Sequence, residues 1–284
     1  MFATSSLAHR IERAEVEQVA SAAAACARRV TGDQLISRRI AGGVAVFVEQ
    51  GCPFNKVAGL GFAGVPADGE LDELEKAFAA RGAPLQAEIS SLADPAVARQ
   101  LTRRGYELAG FENVLGLDLS NWSAAPPAGE RIDVLRARDD EGKVLLETVT
   151  TGFLHPDTFD GPPSHETFAR ESLERIFGDM LVAGGMEHYL ARRGGVVAGG
   201  GSLRVTEQVA LLCGAATLPE HRRRGVQSAL LNERLRSAAD RGCDIAVVTT
   251  QPASKSQANV ERLGFGLLYA RAVLVKGPRR IDCS

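Results

Sequence analysis

The stretch that most limits what this chain can fold into runs from Val209 to Asn232, VALLCGAATLPEHRRRGVQSALLN. It begins with a near-continuous apolar run of strand length, which suits a strand buried on both faces. Pro219 cannot donate to a ladder, so the strand is expected to end by Leu218. Three arginines, a glycine and a helix-forming segment follow. A strand that turns through such a loop into a helix presents unpaired backbone N–H groups at the positive end of the helix dipole, and that arrangement binds phosphate. A side chain at Gly225 would stand between the anion and the backbone. The nucleotide P-loop pattern and the G-x-G-x-x-G dinucleotide fingerprint are both missing here, so neither of those phosphate sites applies.

What the stretch does contain is Arg222-x-x-Gly225-x-Gln227 behind Thr217-Leu218-Pro219-Glu220. This resembles the acyl-CoA loop of the GNAT superfamily of N-acetyltransferases, [QR]-x-x-G-x-[GA], with Gln227 in place of the usual small residue. The elements expected around it run β-α-α-β-β-β-α-β-α-β, again the GNAT order, over about Arg131–Lys276. The resemblance implies an α/β fold with a mixed central sheet flanked by helices. Its fourth and fifth strands would splay apart, with acetyl-CoA, the acyl donor, in the notch. It further implies that Arg222, Arg223, Arg224, Gly225, Val226, Gln227 and Ser228 hold the pyrophosphate, mainly through main-chain N–H groups. The main chain of Ala215, Ala216, Thr217 and Leu218 would pair with the pantetheine arm, one N–H facing the thioester oxygen. A donor placed where charge develops is worth about 2.7–4 kcal/mol in comparable sites.

The segment Ser254–Phe265 looks like the family motif after the fifth strand, with Ser254 and Asn259 as candidate partners of the pantetheine end. Many GNAT enzymes carry a Tyr four residues before the glycine that ends this segment, as the acid for the leaving thiolate. Val260 occupies that position here, and Tyr269 is the substitute candidate. The expected reaction is transfer of an acetyl group to a primary amine, on a small molecule or a peptide. Only the neutral amine attacks, and at pH 7 an amine of pKa about 10.4 is almost wholly protonated. The sequence names no base. The alternative reading is a noncatalytic module that binds acyl-CoA or a protein partner.

A Pro/Ala/Gly stretch, residues 123–129, reads as a linker, and the segments on either side of it echo each other. Arg10-Ile11-Glu12 leads to Thr31-Gly32 as Arg131-Ile132-Asp133 leads to Thr151-Gly152. Arg81-Gly82 precedes the strand Leu85–Ser90 as Arg241-Gly242 precedes Asp244–Thr250. Each half closes on an apolar strand. We therefore expect two related domains, 1–122 and 130–284. In the first half, strands are expected at Val44–Glu49 and Val57–Phe62, helices at Leu71–Arg81 and Pro95–Arg104, and a strand pair over Leu108–Leu119. In the second, helices are expected at Asp140–Phe153 and Glu166–Gly178 and strands at Ile132–Arg136, His188–Arg192 and Val196–Arg204. The helix Val226–Arg241 carries a core-facing stripe of Leu231, Leu235, Ala238 and Ala239. Where the second half has its Arg/Gly turn, the first has Pro66-Ala67-Asp68-Gly69-Glu70-Leu71. Acids there complement the helix dipole themselves and repel a pyrophosphate. The first domain is thus expected to be a degenerate GNAT-like domain without the phosphate loop.

A net charge of −2 offers no field for nucleic acid or an anionic membrane, so neither is expected as a partner. Five widely spaced cysteines and no C-x-x-C suggest reduced residues in a cytoplasmic protein. No Cys/His spacing or H-E-x-x-H marks a metal site; His155, His165 and His221 read as loop residues. Acceptor and oligomeric state stay open.

Overall fold

The computed structural model describes residues 3–30, 34–124, 130–157 and 168–277. Thr31-Gly32, most of the 123–129 linker, the Gly161-Pro162-Pro163 loop, His165, the expected helix start at Glu166 and Cys283 lie outside the described residues.

The first half opens with a helix that the sequence pattern did not reveal, α1 (Ser5–Cys26). Thr4 caps it, its hydroxyl accepting from the Leu7 N–H at 3.1 Å. Then come β1 (Ile36–Ile40), β2 (Gly43–Phe47), β3 (Lys56–Ala58), α2 (Asp68–Ala79), β4 (Leu85–Ser90), α3 (Pro95–Arg103) and β5 (Glu107–Asp118). Asp94 starts α3 by accepting from the Ala96 N–H at 2.8 Å, with Pro95 in the first helical position where no N–H is needed. The strand pair expected over Leu108–Leu119 is one long strand.

The second half follows the expected order: β6 (Ile132–Arg136), α4 (Gly142–Leu154), α5 (Arg170–Leu181), β7 (Met186–Arg193), β8 (Val196–Thr206), β9 (Val209–Thr217), α6 (Val226–Asp240), β10 (Ile245–Thr250), α7 (Lys255–Glu261) and β11 (Gly266–Lys276). The chain is an α/β protein of mixed parallel and antiparallel strands flanked by helices.

Contacts divide the chain into two compact units. The first holds residues 3–112, 168 and 269–277; the second holds 113–157 and 169–268. Each half gives up its closing strand. Arg271–Lys276 of β11 pairs antiparallel with β4, from Arg271↔Ser90 to Lys276↔Leu85. Asn113–Asp118 of β5 pairs antiparallel with β10, from Thr250↔Asn113 to Ile245↔Asp118. Apolar alternation identifies a closing strand but says nothing about which sheet edge it joins.

In the first unit the sheet order is β1-β2-β3-β4-β11, with β3 and β4 parallel. Its core gathers Phe47, Leu71, Phe78, Leu85, Leu101 and Leu274. In the second unit the order is β5-β10-β9-β8-β7-β6, with β9 and β10 parallel and the other ladders antiparallel. Helix α6 buries Val226, Leu230, Leu231, Leu235 and Ala238. Each leucine so placed contributes about 1.5–3 kcal/mol of transfer free energy. Leu145 and Val149 of α4 pack on Leu190. Among the described residues Cys26, Cys52, Cys213 and Cys243 form no disulfide. No helix among the described residues is long and apolar enough to cross a membrane.

Candidate functional site

In the second unit β9 and β10 pair only at Val209↔Ile245, Ala210↔Ala246 and Leu211↔Val247. Both strands continue beyond that point, β9 to Thr217 against β8 and β10 to Thr250 against β5. From Leu212 onward one backbone edge of β9 therefore has no strand partner. The β8–β9 ladder slips between Gly200 and Ser202, and Gly214 opposite the slip has φ +54°. That bulge bends β9 away from β10. The Leu218 N–H donates to the Ala198 carbonyl at 3.0 Å, so Leu218 faces β8. Strand alternation then turns the amides of Ala215 and Thr217 toward the open edge.

The notch broadens into a cleft of about 930 Å³. On one side α4 comes close enough that a Cβ on Gly152 would lie 2.4 Å from the Ala216 Cβ. On the other side lies the start of α6. Gly225, at φ +81°, is the residue before its first turn, and no side chain caps the helix. The first intrahelical bond runs from Ala229 N–H to the Gly225 carbonyl, which leaves the N–H groups of Val226, Gln227 and Ser228 without a helical acceptor. Arg223 is also left-handed, at φ +59°. A Cβ on Gly225 would meet only the Ile132 Cδ1, at 3.6 Å, so the backbone conformation, not crowding, calls for glycine here.

The three arginines divide in role. Arg222 reaches back to the end of α4, donating to the carbonyls of Gly152, His155 and Thr217 and lying 3.4 Å from Asp157. It ties the loop down. Arg223 and Arg224 are exposed and have no partner among the described residues. Of the residues expected to hold the cofactor, Ala215, Ala216, Thr217, Arg222, Arg223, Gly225, Val226, Gln227, Ser228, Ser254 and Asn259 line the cleft; Leu218 and Arg224 do not. Ser254 caps α7, its Oγ accepting from the Gln257 N–H at 3.2 Å, and the Asn259 amide oxygen accepts from Arg262.

Tyr269 lies elsewhere. It is buried in the first unit, its hydroxyl donating to Glu12 at 2.7 Å, and burial together with the Glu12 carboxylate raises its pKa. It is not part of the cleft wall. The strand that carries it joins the first unit's sheet, which sequence periodicity did not indicate. Val260, in the family's tyrosine position, is 1 % exposed and packs in the second unit's core.

Four buried polar side-chain atoms of cleft residues have no hydrogen-bond partner: Thr217 Oγ1, Thr250 Oγ1, His221 Nδ1 and Arg234 Nη2. Such groups are costly unless something fills them. Sequence reading set His221 aside and overlooked Thr250 and Arg234. The 230–234–238 spacing on α6 was the available signal for Arg234, which lies on the helix's buried face. Among the described residues no group of three His, Cys, Asp or Glu side chains could hold a metal ion.

Residues 154–265 match the family model described as the acetyltransferase (GNAT) family. Among solved structures, the chain resembles a GCN5-related N-acetyltransferase from Kribbella flavida, with a TM-score of 0.61 over 93 % of this chain and 96 % of that one at 18 % identity. It also resembles a tandem GNAT protein from the clavulanic acid biosynthesis pathway, with a TM-score of 0.58 over 92 % and 89 % at 16 % identity. A GCN5-related N-acetyltransferase from Sphaerobacter thermophilus reaches 0.51 over 69 % and 60 % at 18 % identity. No protein of curated function matches the sequence. The open β9 edge beside an uncapped helix start falls inside the matched segment, and the chain thus carries a domain of the acetyltransferase (GNAT) family over residues 154–265.

Proposed function

We propose that the second unit binds acetyl-CoA in the β9–β10 notch and transfers its acetyl group to a primary amine. The observation that carries this reading is the end of the β9–β10 ladder at Leu211/Val247 directly beside the uncapped start of α6. The N–H groups of Val226, Gln227 and Ser228 take the pyrophosphate, helped by the positive end of the helix. The exposed Arg223 guanidinium adds charge at the same end. The amides of Ala215 and Thr217 hold the pantetheine arm as an added strand would, with Ser254 and Asn259 on the opposite wall. The bound thioester supplies the activated acyl group; the chain supplies alignment and an N–H on β9 near the acyl carbonyl. With Val260 in the core and Tyr269 committed to Glu12, we assign the leaving thiolate's proton to water or the bound substrate.

The first unit is, in our reading, a GNAT-like domain whose phosphate site has gone. Asp68 and Glu70 occupy the first turn of α2, and Glu70 accepts from the Ala67 N–H at 3.0 Å.

The test is release of free thiol from acetyl-CoA with a panel of amines, amino acids, aminoglycosides and lysine peptides. Release should depend on the acceptor and rise with pH as more amine is neutral. The buried Val260 favours a second reading, a noncatalytic acyl-CoA-binding module. Tight acetyl-CoA binding without release for any acceptor would decide for it.

A further inference from the structure

Two arginines head the fully buried side chains of the described residues, and they are neutralised very differently. Arg271, in the first unit, donates to Glu12 at 2.8 Å and has carboxylates of Glu15, Glu88 and Glu112 within 4.0 Å. Arg234, on α6, has no carboxylate partner among the described residues. Its Nε donates to the Leu230 carbonyl at 3.0 Å, and its Nη1 to the carbonyls of Ser202 at 3.0 Å and Cys213 at 3.5 Å. Nη2 has no acceptor. Carbonyl dipoles satisfy hydrogen bonds but do not cancel a charge, and burial lowers the guanidinium's pKa to about 10.

Its place in the cleft is specific. Arg234 lies about 12 Å along the helix axis from Val226, well away from the expected pyrophosphate end. The guanidinium occupies space left by Gly201, where a Cβ would come within 3.1 Å of Cζ and 3.2 Å of the Ala215 Cβ. It therefore backs the bulged part of β9, where the notch opens and where our reading puts the acyl group. Arg234 is itself a cleft residue. A neutral acetyl group meeting a neutral amine there leaves the cation bare. A carboxylate accepts from the two N–H bonds of Nη2 and supplies the missing charge.

We propose that Arg234 receives a substrate carboxylate at the acyl end of the cleft, carried either by the acyl group of the thioester or by the amine acceptor. This rests on the acyl-CoA reading above. Nη2 is covered in the ligand-free protein, so the carboxylate displaces part of that cover as it enters.

Calorimetry on the full chain separates the sources. One arm titrates CoA, acetyl-CoA, malonyl-CoA and succinyl-CoA. The other, at saturating CoA, titrates amino acids against their amides. Wild-type protein is expected to prefer a carboxylated ligand over its neutral counterpart at least 10-fold in one arm. The arm that shows it names the source. Arg234→Gln and Arg234→Met should bring that preference within 2-fold and leave CoA affinity unchanged, with circular dichroism reporting on the fold. Arg234→Lys, which keeps the charge, should retain part of it. Absence of any preference in wild-type protein overturns the proposal even if no variant folds, as does a preference that survives Arg234→Gln. Failure of wild-type protein to bind CoA at all is a different result, which removes the acyl-CoA reading itself.

Discussion

Each unit contains a parallel strand pair joined through a helix, β3-α2-β4 in the first and β9-α6-β10 in the second, and the two differ where strand becomes helix. At the start of α2, Asp68 accepts from Gln100 at 3.0 Å and from Arg104 at 3.2 Å, while Glu70 closes back on Ala67. Beyond β3 the chain is bridged to the start of α3, the Asp94 N–H donating to the Gly61 carbonyl at 2.8 Å. Gly59 packs so tightly that a Cβ there would fall 2.3 Å from a methyl of Val16 on α1. At the start of α6 there is no acid and no cap, and the strand edge beside it is open. The same β-α-β unit thus encloses its helix start with its own side chains in one case and leaves it available in the other. A helix start binds an anion only where the chain has not already supplied one.

The largest effect is expected from Arg271→Met, which leaves Glu12, Glu15 and Glu88 buried around an apolar side chain. Denaturant unfolding should report a loss of about 3–5 kcal/mol, while CoA affinity of the folded protein stays as it was. Next is Gly225→Asp, which puts a carboxylate at the uncapped helix start. CoA affinity should fall at least 100-fold, about 2.7 kcal/mol, read by calorimetry on protein whose circular dichroism is unchanged. Equal affinity in that variant would mean the cofactor is not held there.

A smaller effect comes with pH. Burial and the Glu88 carboxylate push Glu112 up to about 7. A carboxyl whose folded pKa lies above its unfolded value stabilises below the unfolded value and loses that contribution as pH rises through about 7. Between pH 6 and 8 the protein should lose about 1 kcal/mol from this group. Glu112→Gln should flatten that slope, and an unchanged slope would assign it to another group. Smallest is Glu70→Ala, expected to cost roughly 0.5 kcal/mol through the lost dipole and cap contact. The first unit should gain no CoA binding when this one acid alone is removed.

What could be read from the sequence follows from how each signal arises. The β9–α6 stretch was legible because Pro219, Gly225 and the apolar run each limit the backbone locally. Helix α1 was not, because Glu12, Glu15 and Gln18 face inward beside Ile11, Val16 and Val19 and blur the apolar stripe. Those acids are buried to meet Lys56 and Arg271, which are distant in sequence. Arg234 was missed for the same reason: a charged residue on a helix is read as solvent-facing unless its partners are known. Tyr269 was an attractive acid by residue type, but its environment is set by the pairing of β11 with β4. The family motifs gave the position of the cleft through main-chain groups, and those are less sensitive to side-chain departures such as Gln227.

The exchange of closing strands bears on how the protein is made. The first unit takes β11 from Tyr269 onward, including Arg271 at the centre of its buried charges. On the ribosome those residues emerge only after the whole of the second unit. Until then Glu15 and Glu88 have Lys56 but not Arg271, Glu12 has neither Arg271 nor Tyr269, and β4 lacks its β11 neighbour. The half that is synthesised first is therefore completed last, against the usual order in which an N-terminal domain folds as it appears. A fragment ending at Asn121 should stay without a cooperative transition, and addition of a β11 peptide should restore one.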